Sequence, residues 1–97
     1  MIQFTLESEN EFSKIYKGEN QAVYFNKAYD EDSDVHFIIA SIPEITEAKV
    51  ADVKFPLAFA SEEERNQNFS DINEEFTCKF FDDLKNHIIS QNQKPQE

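Results

Sequence analysis

The sequence predicts an α+β fold: a small antiparallel β-sheet in the order β-α-β-β-β-α, with one short and one long helix packed on one face. Three observations carry this. Apolar residues alternate with polar ones in several runs up to Ala60, a polar loop of hairpin length separates two β-rich runs, and a helical apolar period follows from Phe69 to Ile88.

The first strand is Met1–Leu6, where Ile2, Phe4 and Leu6 alternate with Gln3 and Thr5. A short helix is expected next. Ser8 or Asn10 caps it, Phe12, Ile15 and Tyr16 form its apolar face, and Gly18 stands where a C-terminal glycine belongs. Gln21–Ala28 and Val35–Ser41 are β-rich, and Tyr29–Asp34 is the loop between them. Pro43–Asp52 reads either as a helical turn or as strand. Val53, Phe55, Leu57 and Phe59 alternate with Lys54, Pro56 and Ala58, giving a strand that ends near Ala60. Pro56 favours an edge position there, because it has no N–H for a ladder. Ser61 followed by Glu62, Glu63 and Glu64 reads as a helix N-cap with acids at the positive end of the dipole. Ser70 with Asn73 and Glu74 is a second cap signal, so the helix either starts near Ser61 or restarts at Ser70. Phe69, Ile72, Phe76, Phe80, Leu84, His87 and Ile88 keep the helical period to about Ser90. Gly18 is the only glycine, so tight turns with positive φ fall to Asn or Asp. The expected organisation is one domain over 1–90 and a polar C-terminal tail over 91–97.

Charge is the strongest compositional signal. The 97 residues hold 20 Asp or Glu and 9 Lys or Arg, a net charge of −11. Such a chain is repelled by nucleic acid and by anionic membrane surfaces, so neither is an expected partner. No apolar run reaches the length of a membrane span. The opening MIQFTLESEN is acidic where a signal peptide is basic. A single cysteine makes no internal disulfide, which fits a reducing compartment, and a cytoplasmic location is expected.

The acids fall into two groups. Asp30, Glu31, Asp32 and Asp34 crowd the hairpin loop. On one continuous helix, Glu64, Asp71, Glu75 and Asp82 would lie within about 20° of one line, with Phe69, Phe76 and Phe80 opposite. Asp71 and Glu75 would then be ~6 Å apart along the axis and the outer pairs ~10 Å, a spacing comparable to that of phosphates on a nucleic-acid strand. Lys and Arg that grip phosphate also accept carboxylate. The plain alternative is a solvated helix face, which carries acids whatever the protein does. Against it, Glu62–Glu64 and Glu74–Glu75 have few basic neighbours, and like charges so close repel one another. These eight residues are the candidate partner-binding positions.

Nothing marks an enzyme. Cys78 would sit near the acidic stripe and away from His87, and neighbouring carboxylates suppress a thiolate. His36, His87 and Cys78 lack the spacing of a metal site. Asp30-x-Asp32-x-Asp34 copies the first ligand positions of a calcium loop, but Val35 stands where Gly is needed and Ser41 where Glu is needed. One glycine cannot supply a Gly-rich phosphate loop. No catalytic residue, metal or cofactor is assigned.

In charge, size and carboxylate stripe the chain resembles the small acidic DNA-mimic inhibitors of phages and other mobile elements, the anti-CRISPR and anti-restriction proteins. More locally, Ala28-Tyr29-Asp30-Glu31-Asp32-Ser33-Asp34 and the apolar strand Val35–Ala40 resemble the central hairpin of the phage uracil-DNA glycosylase inhibitor family. That family ends in strands and has a helix before its first strand, and this chain has neither feature, so no binding residue is carried over. Both resemblances imply one mechanism: protein carboxylates occupy a DNA site and exclude the substrate. The expected function is therefore an inhibitor of a basic DNA- or RNA-binding protein, with CRISPR effectors ahead of DNA-repair and restriction enzymes. If the chain is phage-encoded, it would act in the host bacterial cytoplasm. An exposed aromatic such as Tyr29 or Phe81 would anchor the contact. The alternative is an immunity protein or antitoxin that neutralises a basic nuclease toxin.

Overall fold

The computed structural model describes residues 2–92 and has the α+β class. Five strands come first: β1 (Thr5–Glu9), β2 (Ser13–Gly18), β3 (Gln21–Asp30), β4 (Val35–Ile45) and β5 (Val50–Phe59). Two helices follow, α1 (Glu62–Asp71) and α2 (Glu74–Asn92). The strands form one antiparallel meander in chain order. The element order is thus five strands and then two helices, and it corrects the expected β-α-β-β-β-α.

The correction lies in the region read as a short helix. Ser8–Gly18 is the end of β1, a turn, and β2. The Asn10 side chain accepts hydrogen bonds from the N–H groups of Phe12 (2.8 Å) and Ser13 (2.9 Å). An N-cap makes the same bonds, so the residue signal is shared by helix start and turn. β3 decides the outcome, because Ser13–Gly18 pairs with it from Ser13↔Asn26 to Gly18↔Gln21. Gly18 ends a strand and caps no helix. Of the expected strand Met1–Leu6, Met1 lies outside the described residues and pairing starts at Thr5. The ambiguous stretch resolves into the end of β4, a 3₁₀ turn at Thr46–Ala48, and the start of β5. Asn20, Asp34 and Asp52 adopt positive φ, as the shortage of glycine predicted, and Lys49 joins them. β5 is an edge strand, which accommodates Pro56.

The Ser61 cap is used, and the helix restarts at Asn73 and not at Ser70, which lies inside α1. Ser61 Oγ accepts from the Glu64 N–H at 3.1 Å, and Asn73 Oδ1 accepts from the Phe76 N–H at 2.8 Å. Between them Ile72 is extended (φ −66, ψ 126) and ends α1. The helix is therefore broken, and the restart at Asn73 resets its phase. Thr77, Cys78 and Phe81 turn into the core, whereas Phe76 is 40% exposed. That reset corrects the expectation that Phe76 lies at the centre of the apolar face, whereas Cys78, though buried, does border Glu75 and Asp82 as expected.

The core lies between the sheet and the helices. Tyr16, Val23, Phe25, Ile38, Ala40 and Ile42 project from β2–β4 onto Phe69, Ile72 and Phe81, with Phe4 closing one side. Burial of each large apolar side chain contributes about 1.5–3 kcal/mol. Two long cations fix the helices to the sheet. Lys14 Nζ donates to the carbonyl oxygens of Phe69 and Ile72, both at 2.8 Å. Arg65 Nη1 donates to the carbonyl oxygen of Ala28 at 3.0 Å. Among the described residues no helix is long and apolar enough to cross a membrane. The expected tail begins within α2, and 93–97 lies outside the described residues.

Candidate functional site

A meander places alternate turns at the same end of the sheet. The β1–β2 turn and the β3–β4 turn share one end, and β5 finishes there too, since Phe59 pairs with His36 beside the Asp30↔Val35 closure. α1 starts two residues beyond β5, so its first turn stands at that end as well. Carboxylates from three segments thus share one end: Glu9 and Glu11, then Asp30, Glu31, Asp32 and Asp34, then Glu62, Glu63 and Glu64. All nine residues are exposed. Among the described residues none of them is in an ion pair.

The nearby cations make no ion pair with these acids among the described residues. Lys14 and Arg65 are 7% and 8% exposed; Lys14 donates to backbone carbonyls, and Arg65 donates to the Ala28 carbonyl and to Asn66 Oδ1. Lys27 lies over the Phe69 ring, 4.8 Å from its centroid. Positive charge therefore sits beneath the surface and negative charge on it. Burial lowers the Lys14 pKa from its ordinary value, with Glu9 and Asp71 pulling the other way.

The loop itself is ordered by its own side chains. Asp30 Oδ1 accepts from the Asp32 N–H at 3.2 Å, and Asp30 Oδ2 accepts from Ser33 Oγ at 2.8 Å. Tyr29 stacks on His36 with ring centroids 4.5 Å apart and donates its hydroxyl to Asp34 Oδ1 at 2.8 Å. That bond raises the Tyr29 pKa above its ordinary value. Tyr29 is 51% exposed, so the acidic end carries an accessible aromatic held in one orientation. Phe81, the other aromatic considered, is 2% exposed and belongs to the core.

The expected row of four acids does not form, because Ile72 and Asn73 interrupt the rod. Glu64 and Asp71 are paired along α1, and Glu75 and Asp82 along α2. Glu64 joins the acidic end. Asp71 lies at the opposite end of α1 and accepts from Gln67 Nε2 at 3.1 Å. Asp82 lies 3.5 Å from Lys85 Nζ, which also meets Glu47 at 3.2 Å. The loop acids and Glu64 are thus brought together, while Asp71, Glu75 and Asp82 are elsewhere. Glu9, Glu11, Glu62 and Glu63 are additions, and only the hairpin topology discloses the first two.

Cys78 is buried and its Sγ accepts from the Phe4 N–H at 3.3 Å, a structural contact within the core. No group of three or more metal-ligating side chains occurs among the described residues. What the acidic end can do chemically is accept hydrogen bonds from a basic surface at many points. Comparison with family models, with curated proteins and with solved structures finds no match.

Proposed function

We propose that this chain is a small acidic inhibitor that presents DNA-like charge to the basic nucleic-acid-binding surface of another protein. The observation that supports the reading most is the convergence of nine carboxylates from three chain segments, none ion-paired among the described residues, over cations whose donors go to backbone carbonyls and to Asn66. Grouped like charges raise the free energy of the fold. Their grouping is therefore best understood through a partner that offsets the repulsion. The negative field would steer encounter with a basic cleft, and Tyr29 would supply the central apolar contact. CRISPR effectors are the preferred target class, ahead of DNA-repair and restriction enzymes, on the resemblance in charge and size.

Immobilised protein exposed to a bacterial lysate that contains these enzymes tests the reading. The expected result is retention of a DNA-binding protein that duplex DNA elutes and that raised salt releases. Retention of partners that neither DNA nor salt displaces would refute it.

A further inference from the structure

The face of the sheet turned away from the helices is apolar and almost free of carboxylates. Strand alternation sends one set of side chains under α1 and α2 and the other set outward. The protein measures 42 × 34 × 18 Å, a thickness that fits one sheet and one helix layer. A wet face of an antiparallel sheet normally carries polar residues. Here Ile15 pairs with Tyr24, Ala28 with Phe37, Phe37 with Ala58, and Ile39 with Pro56, and these form one continuous outward patch. On β3–β5 the polar outward positions within it are Asn26, Ser41 and Lys54. In a chain with 20 acids, Glu7, Asp30, Glu44 and Asp52 reach only its margins, and its own charges are Lys17 and Lys54.

We propose that this face is the interface of a homodimer in which two copies stack their sheets. A basic partner would be drawn to the acidic end. A surface cleared of carboxylates suits a partner that is itself strongly acidic, and a second copy of this chain is always present in equal amount. The dimensions fit. Strands about 4.8 Å apart with a rise of ~3.4 Å per residue give the face on the order of 650 Å². A standard interface uses ~800 Å² per partner. Two sheets would pack about 10 Å apart, with the strand-end carboxylates outside the contact. Because both copies carry −11, added salt should tighten this contact, the reverse of its effect on binding at the acidic end.

Sedimentation equilibrium at tens of micromolar protein, in low and high salt, tests the proposal. The wild-type chain is expected near twice 11.3 kDa, with tighter association in high salt. Ile39→Glu should be monomeric with an unchanged circular dichroism spectrum. Lys54→Glu, at an exposed position where folding is not at risk, should weaken the dimer about tenfold by placing like charges in the contact. Phe55→Glu, on the helix side of β5, should leave it unchanged. A wild-type mass of 11.3 kDa would overturn the proposal, as would a dimer that ignores Ile39→Glu and Lys54→Glu or one that Phe55→Glu dissociates.

Discussion

Arg65 Nη1 donates to the main-chain carbonyl oxygen of Ala28 at 3.0 Å, and this bond holds the first turn of α1 beside the end of β3. Arg65 also donates from Nε and Nη2 to Asn66 Oδ1, so the guanidinium is fixed on both sides. It makes no ion pair among the described residues, and Glu62–Glu64 stay next to the acidic loop. Arg65→Met keeps the buried stem and removes the bond. It is expected to cost about 1–2 kcal/mol in urea unfolding and to weaken partner binding, because the carboxylates of α1 lose their register with the loop.

Lys14 does the corresponding work at the other end of α1. The last turn of that helix has no basic residue of its own. The Lys14 ammonium, arriving from β2, serves the carbonyls of Phe69 and Ile72 at 2.8 Å and of Ser70 at 3.4 Å. Lys14→Met should cost about 2–3 kcal/mol, since it leaves several carbonyls without their donor. Lys17→Met removes an exposed pair with Glu7 at 3.9 Å and should cost less than about 0.5 kcal/mol. Equal losses in urea unfolding for the two variants would contradict this account.

Tyr16 and Lys14 set opposite alkaline trends. Tyr16 donates its hydroxyl to the Ile72 carbonyl at 3.3 Å. Burial, followed by Glu9 and Glu74, raises its pKa above 10.0. A raised value means that its contribution is intact below pH 10 and is lost as pH climbs through the folded-state value. Lys14 has a lowered value, so its contribution grows with pH up to 10.5 and then levels. Above 10.5 the wild-type chain should lose stability faster than Tyr16→Phe, and urea titrations on either side of that pH would show the difference.

Gly18 is required for space. A Cβ there would lie 2.8 Å from Ile2 Cγ2 and 2.9 Å from the Gln3 carbonyl oxygen. The carbonyl belongs to the backbone and cannot swing aside, so Gly18→Ala should cost about 1–3 kcal/mol and lower the melting temperature.

Much of the sheet was legible in the sequence because its signals were local. β3 and β4 stood out from their β-rich runs and β5 from clean alternation, with Pro56 pointing to its edge position. The Ser61 cap with three following acids marked α1. The β1–β2 hairpin was not legible, because Asn10 makes the same bonds in a turn as in an N-cap, and the deciding partner is β3, distant in sequence. A restart was visible as a cap signal but was placed at Ser70, and the Lys14 bonds that hold the break after Asp71 come from another element. For the same reason the acidic loop could be read directly while its company could not. Glu62–Glu64 and Glu9–Glu11 reach it only through the meander, and the straight row through Asp71, Glu75 and Asp82 required an unbroken helix.

The most direct test compares two charge-neutralised variants against the DNA-eluted partner. The first replaces Asp30, Asp32 and Asp34 with Asn, and Glu31, Glu62, Glu63 and Glu64 with Gln, keeping the hydrogen-bond acceptors of the loop. The second replaces Asp71 and Asp82 with Asn and Glu75 with Gln. Titration calorimetry should show that the first loses about 100-fold or more in affinity while the second stays within about threefold, with both at least as stable as wild type. Unchanged affinity in the first variant, or a larger loss in the second, would contradict the assignment of the acidic end as the binding surface.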